Sequence, residues 1–185
     1  MNVYDFDNTI YDGDSMIDFY FYELWKKPSI LRVLPKQVSG FIKYKLHKIN
    51  KTQFKEVFFS FLSVVEDIDT DLSEFWNLKQ YKIKQWYIDN QNMDDVIISA
   101  SPEFLLEEIC KRIGINYLIA SKVNKKTGEF IGLNCHDIEK KSRFEEMFGH
   151  TQIQKFYSDS YSDSPLADIA FEAYYVKKNK ILNWN

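Results

Sequence analysis

Between residues 15 and 85 the chain gives no strand signal, yet a strand-like run precedes that block and several follow it. This order constrains the fold more than any other feature. The short N-terminal strand has to pair with strands far downstream, so the helical block is an insertion within one sheet. Inside the block, apolar residues recur at helical spacing: Ile17, Tyr20, Phe21, Leu24 and Trp25, then Val38, Phe41, Ile42 and Leu46. Pro28 and Pro35 break the run. Thr52 opens a further helix through Phe61, and residues 71–87 read as another.

After the block the texture changes. Residues 95–99 form a short apolar run that fits a buried strand. Ser101-Pro102-Glu103 then reads as a helix start, with Ser101 as N-cap and Pro102 at the first helical position. That helix runs to about Ile113 and stops at Gly114. Strands are expected at 117–123, 153–157 and 173–176, with helices at 140–148 and from Pro165. Strands alternating with helices predict an open parallel sheet. The expected fold class is α/β, a Rossmann-like three-layer α/β/α core of residues 1–14 and 86–185 with an all-helical insert of residues 15–85.

With 45% hydrophobic residues, 185 residues suffice for one good core and a small second lobe. A net charge of −3 gives no case for nucleic-acid binding. Cys110 and Cys135 form neither a disulfide framework nor a metal-ligand spacing, and fit small core residues in a reducing compartment. No secretory signal opens the chain, and the longest apolar stretch, 57–65, is too short to span a bilayer. The expectation is a soluble, cytoplasmic protein without a transmembrane segment. Charge is unevenly spread: residues 24–55 hold nine Lys and Arg and no Asp or Glu, leaving 15 basic against 27 acidic residues elsewhere.

The first strand ends in Asp5-Phe6-Asp7-Asn8-Thr9. If the strand continued, Asp5 and Asp7 would share a face. Two like charges so close are costly unless a cation lies between them or one takes a proton. A plain turn is the alternative, and Asn8 favours one. In open α/β sheets ligands bind at the carboxyl ends of strands. Those ends also carry Ser99 and the loop Ser158, Asp159, Ser160 and Asp163, with Lys140 opening a helix between them. Read singly, Ser99 or Ser101 is a helix cap, Lys140 a solvated lysine, and Asp159 and Asp163 a solvated loop. An EF-hand fails, since Ser164 and Ala170 stand where the loop starting at Asp159 needs Gly and Glu. No P-loop or G-x-G-x-x-G occurs among the six glycines.

Taken in order, Asp5-Phe6-Asp7-Asn8-Thr9, Ser99, Lys140 and Asp159-Ser-Tyr-Ser-Asp163 resemble the four motifs of the haloacid dehalogenase superfamily. The resemblance spans the chain. It places the insert like that family's C1-type helical cap and points to the phosphoserine-phosphatase-like branch, subfamily IB. It implies a Mg²⁺-dependent phosphatase acting on a small phosphorylated substrate, since dehalogenases lack the second aspartate. Asp5 would be the nucleophile and Asp7 the acid/base; Thr9 would orient the loop, and Thr9, Ser99 and Lys140 (or adjacent Lys141) would hold phosphate. Mg²⁺ would sit on Asp5, Asp159 and the main-chain carbonyl of Asp7, with Asp163 behind. A phosphotransferase or mutase, a lipid-phosphate phosphatase and a non-catalytic phosphate-binding module are the alternatives. Ala100-Ser101-Pro102-Glu103 departs from the two glycines and aromatic of phosphoserine phosphatases, and Asp14 stands where they carry a glutamate, so phosphoserine is not the expected substrate. The aromatics of the basic stretch, Trp25, Phe41, Tyr44 and Phe54, fit the insert's own core; the stretch otherwise fits attraction to an anionic substrate or lipid surface.

Overall fold

The computed structural model describes residues 1–184; Asn185, the last residue of the expected core, lies outside them. Six strands form one sheet: β1 (Asn2–Tyr4), β2 (Val96–Pro102), β3 (Tyr117–Ser121), β4 (Ile153–Ser158), β5 (Ala170–Lys177) and β6 (Lys180–Asn183). Their order is β3-β2-β1-β4-β5-β6, parallel throughout except that β6 runs antiparallel to β5. The first strand of the chain is therefore interior, with Val3 opposite both Val96 and Phe156.

Alternation along the strands builds the two faces. Val3, Val96, Ile98, Ile153 and Phe156 pack on one side with Phe144, Leu166 and Ala167. Those last three come from α7 (Ile138–Phe148) and α8 (Ser164–Ala167). Tyr4, Ile97 and Ala120 face the other side, against Leu105, Leu106 and Ile109 of α6 (Glu103–Arg112). Burial on both faces explains why β2, the strand beside β1, reads as a continuous apolar run. The result is a three-layer α/β/α fold.

Between β1 and β2 lie five helices: α1 (Ser15–Lys26), α2 (Leu34–Lys45), α3 (Lys51–Phe59), α4 (Ile68–Lys79) and α5 (Gln85–Ile88). Local chemistry sets their ends. Asp14 caps α1 by accepting from the Ile17 N–H, and Asn50 with Gln53 forms a capping box at α3. Pro35 opens α2 instead of breaking a helix, because its missing N–H costs nothing in the first turn. Phe19, Phe61, Phe75 and Trp76 make the segment's aromatic interior, and the Trp76 indole N–H donates to the Leu105 carbonyl at 2.7 Å, tying α4 to α6.

Three expectations need correction. Residues 71–87 are not one helix: α4 ends at Lys79, and Lys84 N–H donates to the Ile10 carbonyl at 2.8 Å while Lys82 accepts from Asp12 N–H at 2.9 Å. Those backbone groups serve the loop after β1, so a helix cannot continue through them. Ser101 is not the cap of α6; β2 extends through Pro102, which is itself the cap residue, without a side-chain bond. The aromatics of the basic stretch divide: Phe54 packs against Phe41 and Tyr44, whereas Trp25 and Phe41 are exposed. β6 was not anticipated; all four of its residues are exposed, so no buried face marks it in the sequence. No helix among the described residues is long and apolar enough to cross a membrane.

Candidate active site

At Tyr4 the first strand ends and the backbone turns, with Phe6 carbonyl accepting from both Ile10 and Tyr11 N–H at 3.0 Å. Asn8 takes φ 58°, a conformation its short polar side chain tolerates. Asp5 and Asp7 are thus brought together by a turn and not by strand alternation. The Asp5 N–H remains anchored to the Tyr157 carbonyl of β4 at 2.8 Å.

Around this turn lies a cavity of about 700 Å³ whose lining includes Asp5, Asp7, Ser99, Lys140, Asp159 and Asp163. Lys140 is buried on the first turn of α7, and its Nζ lies 2.7 Å from both Asp5 Oδ1 and Asp163 Oδ2. Lys141 points elsewhere, to Glu145 at 3.8 Å along its own helix. Of the two lysines, Lys140 is the one at the site. Asp163 Oδ2 also accepts from the Ser158 hydroxyl at 2.7 Å. Ser99 is buried in the irregular half of β2, where its Oγ accepts from Ser101 N–H at 3.0 Å.

Asp7 Oδ1 accepts from Ser15 N–H at 2.7 Å and Oδ2 from the Ser101 hydroxyl. Burial, then the charge of Asp14, pushes the Asp7 carboxyl up to about 7. Burial also raises Asp5, against the pull of Lys140, and together with the charge of Asp5 it pushes Asp159 up to about 6. Thr9 is fully buried beneath the cavity. Its hydroxyl donates to Asp5 Oδ2 at 3.2 Å and accepts from Asp159 N–H at 3.0 Å. Thr9 therefore clamps the first loop to the loop after β4, the orienting role expected of it.

Lys140 thus pairs with Asp5 and Asp163, while Asp7 and Asp159 line the same cavity. The donors are all oxygen, which suits Mg²⁺ better than zinc. Among the described residues no three or more His, Cys, Asp or Glu side chains form a metal cage. Mg²⁺ does not need one: it takes one or two carboxylates and keeps waters. Asp5 and Asp159, whose charges oppose one another, fit that sparse set.

Three contacts at the site escaped the sequence reading. Ser101 was assigned to a helix end, yet it serves Asp7. Lys55 reaches in from α3, donating to the Ala100 carbonyl at 2.8 Å, and burial and then Lys51 lower it to about 8. Lys51 Nζ lies 2.8 Å from Nε2 of His136. No short motif marks these contacts, which join residues 94, 45 and 85 positions apart.

A parallel sheet that gathers paired aspartates, a buried lysine and a second acidic pair at its strand ends defines a Rossmann-like hydrolase. The chain belongs to the haloacid dehalogenase-like hydrolase family, whose model matches residues 3–168. Among solved structures it resembles a Bordetella pertussis Tohama I protein of unknown function, at 17% identity and TM-score 0.75, over 94% of this chain and 87% of that one. It also resembles a phosphoserine phosphohydrolase-like protein from Francisella tularensis subsp. tularensis SCHU S4, at 18% identity and TM-score 0.57, over 94% and 86%. A phosphoserine phosphatase solved as a phospho-aspartyl intermediate analogue matches at 15% identity and TM-score 0.51, over 92% and 83%. These likenesses show the fold. No curated protein sequence matches the chain.

Proposed function

We propose that the protein is a Mg²⁺-dependent phosphatase that hydrolyses a phosphomonoester through an aspartyl phosphate. One observation carries this reading: Asp5, Asp7, Ser99, Lys140, Asp159 and Asp163, drawn from loops, a strand and a helix far apart in the sequence, line one cavity. Asp5 attacks phosphorus; the P–O bond to the alcohol breaks and the leaving oxygen takes a proton from Asp7. Water then attacks the phosphorus of the aspartyl phosphate and gives its proton to Asp7, releasing inorganic phosphate and restoring Asp5. Ser99 and Lys140 hold the phosphoryl oxygens as charge shifts onto them. Ser101 and the Ser15 N–H orient Asp7, and Thr9 orients Asp5. Mg²⁺ on Asp5, Asp159 and the Asp7 carbonyl, backed by Asp163, would neutralise charge between carboxylate and phosphate. Residues 15–85 act as the cap that chooses the substrate over a core of residues 1–14 and 86–185.

Phosphate release with Mg²⁺ from a panel of sugar, amino-acid, nucleotide and lipid phosphates, with Asp5→Asn as the blank, tests the reading. Wild type releases free phosphate and Asp5→Asn falls by at least about 10³-fold while keeping its circular dichroism. Equal turnover by the variant would refute the mechanism. A phosphorylated acceptor in place of free phosphate would make the protein a phosphotransferase.

A further inference from the structure

The insert's side of the active-site cavity is apolar where the sheet's side is charged. Met16, Ile17, Tyr20, Phe21, Phe54 and Phe58 line it. The polar groups the insert places there are largely committed within the protein. Tyr20 OH donates to Gln37, and Asp14, the core residue just before the insert, accepts from the Ile17 N–H. Lys55 donates to the Ala100 carbonyl and, at 3.4 Å, to Asn134 Oδ1, while Lys51 lies against His136. A polar leaving group such as an amino acid or sugar would find few free partners on this wall, and its own desolvated donors and acceptors would go unmet.

The apolar lining also does not stop at the mouth. Ile17 and Phe21 line the cavity yet are 45% and 59% exposed, and Trp25, one turn further along the same side of α1, is 80% exposed. On α2, Leu34, Val38, Ile42 and Leu46 repeat the four-residue spacing and are all exposed, flanked by Lys43 and Lys48 along one groove. Apolar side chains thus continue from the mouth of the cavity along α1, and α2, within the stretch that carries basic residues and no acidic ones, exposes a second apolar groove.

We propose that the phosphomonoester taken by this site carries a long apolar chain on its leaving oxygen. This rests on the phosphatase reading above and names its substrate class. The charged end binds the phosphoryl group, the apolar wall takes the first part of the chain, and the rim on α1 takes the rest. The amphiphile comes either as a free monomer or from a bilayer.

The test is phosphate release with Mg²⁺ from ethyl, butyl, hexyl and octyl phosphate as monomers, from O-phosphoserine, and from octadecyl phosphate held in phosphatidylcholine vesicles. kcat/KM rises with chain length, up to about fourfold per buried methylene, so octyl exceeds ethyl by on the order of 10²-fold or more. Turnover in vesicles assigns the bilayer source, and turnover of monomers alone the free one; a rising slope supports the proposal in both cases. Phe21→Asn, at an exposed position, lowers the octyl-to-ethyl ratio by about tenfold. A flat or falling slope, a preference for phosphoserine, or an unchanged ratio in Phe21→Asn overturns the proposal and leaves the phosphatase standing. Absence of any release beyond that of Asp5→Asn overturns both.

Discussion

Lys140 holds a buried ammonium between Asp5 and Asp163, two carboxylates that would otherwise repel each other. Removing one partner from such a cluster is costly because the others stay buried without compensation. Lys140→Ala should lose on the order of 10²–10³-fold in phosphate release and about 3 kcal/mol in stability. Lys141→Ala, whose ammonium reaches only Glu145, should stay within about 0.5 kcal/mol of wild type and keep its activity. Phosphate-release assays and urea titrations of the two variants check this. At this scale the sequence was informative wherever a residue type is unusual at a strand end, as with Asp5, Asp7 and Asp159. It was silent on Ser101, because an ordinary Ser-Pro-Glu helix start and a hydroxyl aimed at a carboxylate 94 residues away look identical in one dimension.

Among the elements, α1 and α4 enclose a strained site of their own. Glu23 is fully buried with neither carboxyl oxygen hydrogen-bonded among the described residues, beside Asp71, which pairs with Lys26 and Lys27. Burial, then the charge of Asp71, raises Glu23 from 4.5 to about 7. A group whose pKa is higher folded than unfolded stabilises fully below its unfolded pKa, and the contribution is lost as pH rises through the folded value. The wild-type protein should lose about 3 kcal/mol between pH 4.5 and 8 from this residue. Glu23→Gln should remove that slope, as urea midpoints at pH 5 and pH 8 will read; an equal slope in both proteins refutes it. The elements that the sequence revealed poorly share a cause. The break between α4 and α5 is imposed by backbone bonds to the loop at Ile10 and Asp12, and β6 lacks a buried face. Both are set by tertiary contacts instead of local propensity. The strands that read well, β2 and β4, are interior ones, β2 with a buried apolar run and β4 anchored by buried Ile153 and Phe156.

Across the whole molecule, charge is segregated: a negative cluster at the sheet edge faces an insert whose basic half has no acidic residue. A ligand that binds only the folded state stabilises it by mass action, about 2.7 kcal/mol at a hundredfold excess over Kd. Mg²⁺ should therefore raise the unfolding temperature, EDTA should reverse the rise, and Asp159→Asn should abolish it; differential scanning fluorimetry is the measurement. A rise that survives in Asp159→Asn would place the cation elsewhere.

The interior position of β1 has a consequence for how the protein comes into being. The contacts that build the site join residues 94, 135 and 150 positions apart: Ser101 with Asp7, Lys140 with Asp5, and Asp159 with Thr9. During synthesis β1 must wait, unpaired on its β4 side, until residues 153–158 have been made. The intervening helices meanwhile have local contacts with which to form. Assembly of the site is in this way coupled to late synthesis: a nascent chain that stops short of Lys140 carries Asp5 but none of the later groups that contact it.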